Sequence, residues 1–101
     1  MANISVVGRI VSDDIELKIS TNNRPYLRFD LAERTGKGAY ARTQYYQVVA
    51  FGAIASQFAK RGLCRGALIS VEGTLELEDY LKRDGWTRDK RLKVIALRWR
   101  D

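Results

Sequence analysis

The chain has no histidine and a single cysteine, Cys64, among its 101 residues. One cysteine excludes an internal disulfide. Without histidine it also cannot complete a zinc site of the usual ligand count. The same absences remove Cys-His and Ser-His nucleophile pairs. Most hydrolase and metalloenzyme readings fall with them, and no metal or cofactor is expected. Cys64 itself reads as a small, partly buried apolar residue. Long apolar runs are missing too. None is longer than Val48-Val49-Ala50-Phe51, which is far short of a membrane span. Met1-Ala2-Asn3-Ile4 shows no basic region leading into an apolar stretch, so no secretory signal is expected and a cytosolic location follows. There is no internal repeat, low-complexity tract or linker, and the length suits one domain over residues 1–101.

What is present is an apolar fraction of 46 %, spread along the whole chain, which a disordered sequence would lack. Lys and Arg number 18 against 12 Asp and Glu, a net charge of +6. The excess is uneven. Between Lys82 and Arg100 stand eight basic residues, opposed only by Asp84 and Asp89. A small basic domain suggests a polyanionic partner, and nucleic acid fits better than a membrane surface.

Turn signals punctuate the chain at Ser12-Asp13-Asp14, Ser20-Thr21-Asn22-Asn23, Thr35-Gly36-Lys37-Gly38, Gly62, Gly66 and Asp84-Gly85. The segments between them alternate as strands do. Asn3 to Val11 carries Ile4, Val6, Gly8 and Ile10 on one face. Ile15, Leu17 and Ile19 alternate after a short break, and Leu27, Phe29 and Leu31 continue the pattern as core positions. Thr43 to Phe51 is rich in aromatic and β-branched residues. Ile69, Val71, Gly73, Leu75 and Leu77 share a face of a long strand, and Ile95 and Leu97 alternate in a last one over Lys93 to Trp99. Gly8 and Gly73 inside strands suggest bends or bulges. Ala53 to Arg61 breaks the period. Ile54 with Phe58 and Ala55 with Ala59 recur at spacing four, Lys60 and Arg61 suit the end of a helix dipole, and Gly62 can cap. The expected order is three strands, a short helix and two strands. That is an all-β, five-stranded OB-fold, a Greek-key barrel with one helix between strands 3 and 4.

Several segments resemble the bacterial single-stranded DNA-binding protein family. Asn3-Ile4-Ser5-Val6-Val7-Gly8-Arg9-Ile10 resembles its opening strand, Asp14-Ile15-Glu16-Leu17-Lys18 the segment after the first turn, and Leu27-Arg28-Phe29-Asp30-Leu31-Ala32 its second strand. Thr43-Gln44-Tyr45-Tyr46-Gln47-Val48-Val49-Ala50-Phe51-Gly52 is similar to its Thr-Glu-Trp to aromatic-Gly stretch. Arg65-Gly66 and Ile69-Ser70-Val71-Glu72-Gly73-Thr74-Leu75 resemble its Lys-Gly and Val-Glu-Gly-x-Leu pair, and Asp84-Gly85 its last hairpin turn. The likeness runs over about residues 3 to 97 and implies a short member of that family.

The resemblance implies sequence-independent binding and protection of single-stranded DNA in replication, recombination or repair, with no catalysis. The family's stacking positions fall on Tyr45, Phe51 and Tyr80. Trp86, at a hairpin tip, and Tyr40 are further candidates. Every base has a π-face, so exposed aromatics hold any sequence. Tyr45 and Phe51 lie six residues apart in one strand and point to the same face. Core packing is the alternative for Phe51, Tyr45 and Tyr80, and a partner contact the alternative for Trp86. Candidate phosphate contacts are Arg9, Arg28, Arg34, Lys37, Arg42, Arg65, Lys82 and Arg83. The resemblance also implies a homo-oligomer, with a tetramer expected ahead of a dimer and Asn3 to Val11 as the pairing strand. A bacterial cytosolic or nucleoid location goes with it.

The sequence departs from the family's pattern at named places. Lys37 stands where a third early Trp is usual, Gln47 replaces an Arg, and Ala53 a basic residue. Glu76-Leu77-Glu78-Asp79 occupies a stretch that is usually basic. The chain stops at Trp99-Arg100-Asp101 without the family's acidic tail, so tail-mediated protein recruitment is not expected. A second reading is a replication-restart adaptor of the primosomal protein N type, also a tailless OB-fold that binds single strands. An enzymatic reading has little to stand on. Gly36-Lys37-Gly38 has Leu31 where a phosphate loop needs its first Gly, and no Ser or Thr follows Lys37.

Overall fold

The computed structural model describes residues 2–101. Six strands and one α-helix follow in the order β1 (Ala2–Ile10), β2 (Lys18–Ile19), β3 (Pro25–Thr35), β4 (Arg42–Phe51), α1 (Gly52–Arg61), β5 (Leu68–Leu81) and β6 (Arg88–Arg100). A single 3-10 turn, Gly38–Tyr40, lies between β3 and β4. Pairing runs β1–β5–β6–β4–β3, and β3 returns to β1 through Arg9↔Ala32 and Ile10↔Leu31, so five of the strands form a closed circuit. All ladders are antiparallel except β4 with β6.

The alternation read from the sequence sets what faces inward. Val6 and Ile10 of β1, Leu27, Phe29 and Leu31 of β3, Tyr46, Val48 and Ala50 of β4, and Ile69 and Val71 of β5 are buried in one core. The Tyr46 hydroxyl is the one polar tip there. It donates to Glu33 Oε1 at 3.4 Å, and burial followed by the nearby carboxylate pushes its pKa up.

Gly8 and Gly73 are needed where strands of the closed circuit press together. A Cβ on Gly8 would lie 2.5 Å from the Ala32 carbonyl oxygen, and one on Gly73 would collide with the Ile95 carbonyl. The register of β5 on β6 slips between Glu72 and Gly73, the bulge expected at that glycine.

Several expectations are corrected. Cys64, expected partly buried, is exposed. Four strands, not three, precede the helix. The Ile15–Ile19 alternation yields only the two-residue β2, because the chain there meets one end of β3 and then reverses through Ser20 to Arg24. Ile15 packs against the core, but Leu17 and Ile19 are exposed. In β6 the inward residues are Val94 and Ala96, whereas Leu97 is 57 % exposed. Glu72 opposes Arg98 and Gly73 opposes Ala96, so Leu97 has no partner, and the inward side changes parity at that point to reach Trp99. Leu77, expected inward, is exposed where β5 runs past the core.

The helix forms where expected. It ends at Gly62, which is left-handed and returns its N–H to the Ala59 carbonyl at 3.2 Å. Its inward residues are Ala55 and Phe58. The Phe58 ring stacks on Phe29 at 4.7 Å and meets Trp99 edge-on at 5.0 Å.

Candidate nucleic-acid interface

Because Leu27 and Phe29 point inward, Tyr26 and Arg28 must point outward. Because Tyr46, Val48 and Ala50 point inward, Tyr45, Gln47, Val49 and Phe51 form the opposite face of β4. The ladder sets Tyr26 beside Phe51 and Arg28 beside Val49. On the far side β6 brings Lys93 next to Gln47. The result is an open groove of about 410 Å³ lined by Tyr26, Arg28, Gln47, Val49, Phe51, Glu78 and Lys93, with Ser20 and Thr21 at its lip. That volume is in the range of ordinary ligand clefts, roughly 300–1,000 Å³.

Two aromatic rings face this groove. Tyr26 and Phe51 lie with centroids 6.4 Å apart at 34°. The Arg24 guanidinium sits over Phe51, 5.0 Å from the ring centre. On the adjoining wall the Arg91 guanidinium covers Tyr80 at 4.4 Å. Glu78 is ion-paired with Arg91 at 3.5 Å and with Lys93 at 3.3 Å.

Tyr45 is 60 % exposed. It stands toward the other end of β4, about 20 Å from Phe51 by strand rise. There it borders a second cleft with Val7, Arg9, Arg34, Thr43 and Leu68. Arg9 donates to the Gly66 carbonyl at 2.9 Å. Lys37 and Arg42 flank the 3-10 turn that carries Tyr40, which is 88 % exposed.

Trp86, 82 % exposed, tips the β5–β6 hairpin with Lys82 and Arg83 beside it. Asp84 ties that tip together. Its carboxylate accepts from the backbone N–H of Trp86 at 3.0 Å and of Thr87 at 2.8 Å, and from the Thr87 hydroxyl. The Thr87 hydroxyl contact first, then the two backbone N–H groups, hold the Asp84 carboxyl below its ordinary pKa.

Of the candidate residues, then, Phe51 and Arg28 share the main groove, and Tyr80 adjoins it through Arg91 and Glu78. Tyr45, Arg9 and Arg34 share the second cleft. Tyr40, Lys37 and Arg42 cluster on the β3–β4 loop, and Trp86, Lys82 and Arg83 on the hairpin. Arg65 stands apart, bound to the Asp13 carboxylate at 2.7 Å. Lys82 is paired with Asp89 at 3.5 Å. Arg28, Arg34, Lys37, Arg42 and Arg83 make no ion pair among the described residues.

Reading the sequence missed Arg24, Tyr26, Arg91 and Lys93. Tyr26 was legible, since it alternates with Leu27 and Phe29. Arg24 needs the turn geometry, and Arg91 and Lys93 need the β5–β6 register.

These features define a small β-sheet domain whose outward face combines aromatic rings with cations. The chain belongs to the single-strand binding protein family, whose family model matches residues 1–99. Its structure is similar to the crystal structure of a small single-stranded DNA-binding protein from Streptomyces coelicolor. The TM-score is 0.80 at 21 % identity, covering 97 % of this chain and 91 % of that one. The comparison with curated proteins returned no match. No helix among the described residues is long and apolar enough to cross a membrane.

Proposed function

We propose that the chain is one OB-fold domain, its closed circuit of five strands being the barrel, that binds single-stranded DNA without sequence preference and performs no chemistry. The observation that carries this is the groove lined by the aromatic rings of Tyr26 and Phe51 together with Arg28 and Lys93. A base can stack on a ring while its phosphates meet the flanking cations, and such stacking is worth roughly 1–3 kcal/mol per base. Tyr45 with Arg9 and Arg34 extends the path, and Tyr80, Trp86, Tyr40 and the loop cations supply its margins. Family membership and the likeness to a single-stranded DNA-binding protein support the same reading. Protection of exposed strands in replication, recombination or repair, in the bacterial cytosol or nucleoid, is the role this activity suits.

The test is a fluorescence titration with oligo-dT and with a duplex of equal length. Binding to oligo-dT far tighter than to duplex, with quenching of tyrosine or tryptophan emission, is the expected result. Affinity should fall with salt, the log–log slope being about −0.7 per phosphate neutralised. Equal affinity for the duplex, or an affinity indifferent to salt, would reject the proposal.

A further inference from the structure

The β5–β6 wall of the groove carries acid where a polyanion is to be received. Register places Glu78 opposite Arg91 and Glu76 opposite Lys93. Even so, the Glu78 carboxylate takes both cations, one oxygen 3.5 Å from Arg91 Nη2 and the other 3.3 Å from Lys93 Nζ. Arg91 in turn sits over the Tyr80 ring, and its Nε is buried with no hydrogen-bond partner among the described residues. Glu78 and Lys93 both line the groove. A carboxylate spanning two cations in such a cleft occupies the position a phosphate would otherwise take.

We infer that Glu78 is an internal competitor for the nucleic-acid phosphate. In the free protein it neutralises Lys93 and Arg91 and keeps the Arg91 guanidinium over the Tyr80 ring. A strand that engages this wall replaces the carboxylate with a phosphate, draws Arg91 aside and uncovers Tyr80. The inference rests on the single-stranded DNA reading above. It explains how a wall reading Glu76-Leu77-Glu78-Asp79 can still serve that function: two of its cations are held in reserve rather than missing. It also means that salt dependence understates the number of cations in the groove, because exchanging one internal anion for another releases fewer counterions.

The experiment compares unmodified protein, Glu78→Gln, Glu78→Ala and Asp79→Asn in oligo-dT titrations over a sodium chloride series. Melting temperature and oligomer mass are recorded for each. Asp79 is the charge control. It is adjacent in β5, points to the opposite face, and makes no ion pair among the described residues. Both Glu78 variants should bind roughly three- to tenfold tighter at low salt, with a slope steeper by about 0.7 for each cation freed. Asp79→Asn should change affinity less than twofold and leave the slope alone. Adding Arg91→Gln to Glu78→Gln should shrink the gain, since one of the freed cations is then absent. Folded Glu78 variants that bind no better than the unmodified protein, or no better than Asp79→Asn, overturn the inference while leaving the binding function intact. Failure of the unmodified protein and all variants to bind oligo-dT overturns both.

Discussion

Tyr45 and Phe51 share the outward face of β4, but their surroundings differ. Tyr45 stands clear of the core beside Arg9 and Arg34, whereas Phe51 is half-buried between Tyr26 and the Arg24 guanidinium. Tyr45→Ala should therefore cost roughly 1–3 kcal/mol of oligo-dT binding. Melting temperature and salt slope should stay nearly unchanged, because neither core packing nor a phosphate contact is lost. A stable variant of unchanged affinity would put the strand's path elsewhere. The cations divide in a similar way. Arg28 lines the groove and makes no ion pair among the described residues, so Arg28→Ala should flatten the salt slope by about 0.7. Arg65 already holds Asp13 at 2.7 Å, and a phosphate must compete with that carboxylate. Arg65→Ala should flatten the slope by less. Measuring log affinity against log salt for the two variants decides the ranking, and the reverse order would show that the Arg65 side of the molecule carries the backbone.

At the scale of elements, α1 packs on the sheet through Ala55 and Phe58, and Phe58 is the larger of the two. Phe58 is buried between Phe29 and Trp99, the first from β3 and the second from the far end of β6. Phe58→Ala should destabilise the protein by about 3–5 kcal/mol, the usual cost of removing a buried aromatic ring. Urea denaturation measures this, and a loss below about 1 kcal/mol would mean that the helix contributes little to the core. Helix α1 was legible to within a residue, because apolar spacing, terminal cations and a capping glycine all agreed. The Ile15–Ile19 segment misled because alternation reports which residues could face a core, not whether a neighbouring strand is there to pair with. In β6 the alternation picked the wrong set, since both sets are apolar: Val94 and Ala96 go in, Ile95 and Leu97 do not. The choice was made by the β5–β6 register, which sets Val94 opposite Leu75 and Ala96 opposite Gly73 and is a property of two strands together.

For the whole molecule, the circuit of five strands is closed only narrowly. β1 meets β3 at Arg9 and Ile10 alone, while its other edge pairs with β5 from Ala2 to Arg9. Much of one β1 edge is thus unpaired, and such an edge invites a second strand. Val7, exposed on β1, and Leu97, exposed in the cleft beside Asn3, Ile4 and Ser5, add apolar surface near β1. A homo-oligomer formed through β1 should follow, a tetramer ahead of a dimer. Light scattering coupled to size exclusion, with and without oligo-dT, gives the mass and the stoichiometry. A monomer mass at micromolar concentration would contradict the expectation.

Much that matters here was determined by the sequence alone. Absent histidine and lone Cys64 removed whole classes of chemistry. Period-two alternation put Leu27 and Phe29 on one face of β3 and Tyr45 and Phe51 on one face of β4, and the family resemblance made Tyr45 and Phe51 candidates for stacking. The alternation is local: it needs only a residue and its neighbours two places away. The tertiary structure decided what lies beside what. It seated Arg24 over Phe51, gave Arg65 to Asp13, and turned the acidic stretch of β5 into a carboxylate bound to two cations of β6. None of these pairings could be read along the chain, because each joins residues set side by side only by a turn, a loop crossing or a strand register, and register depends on the packing of the closed sheet as a whole.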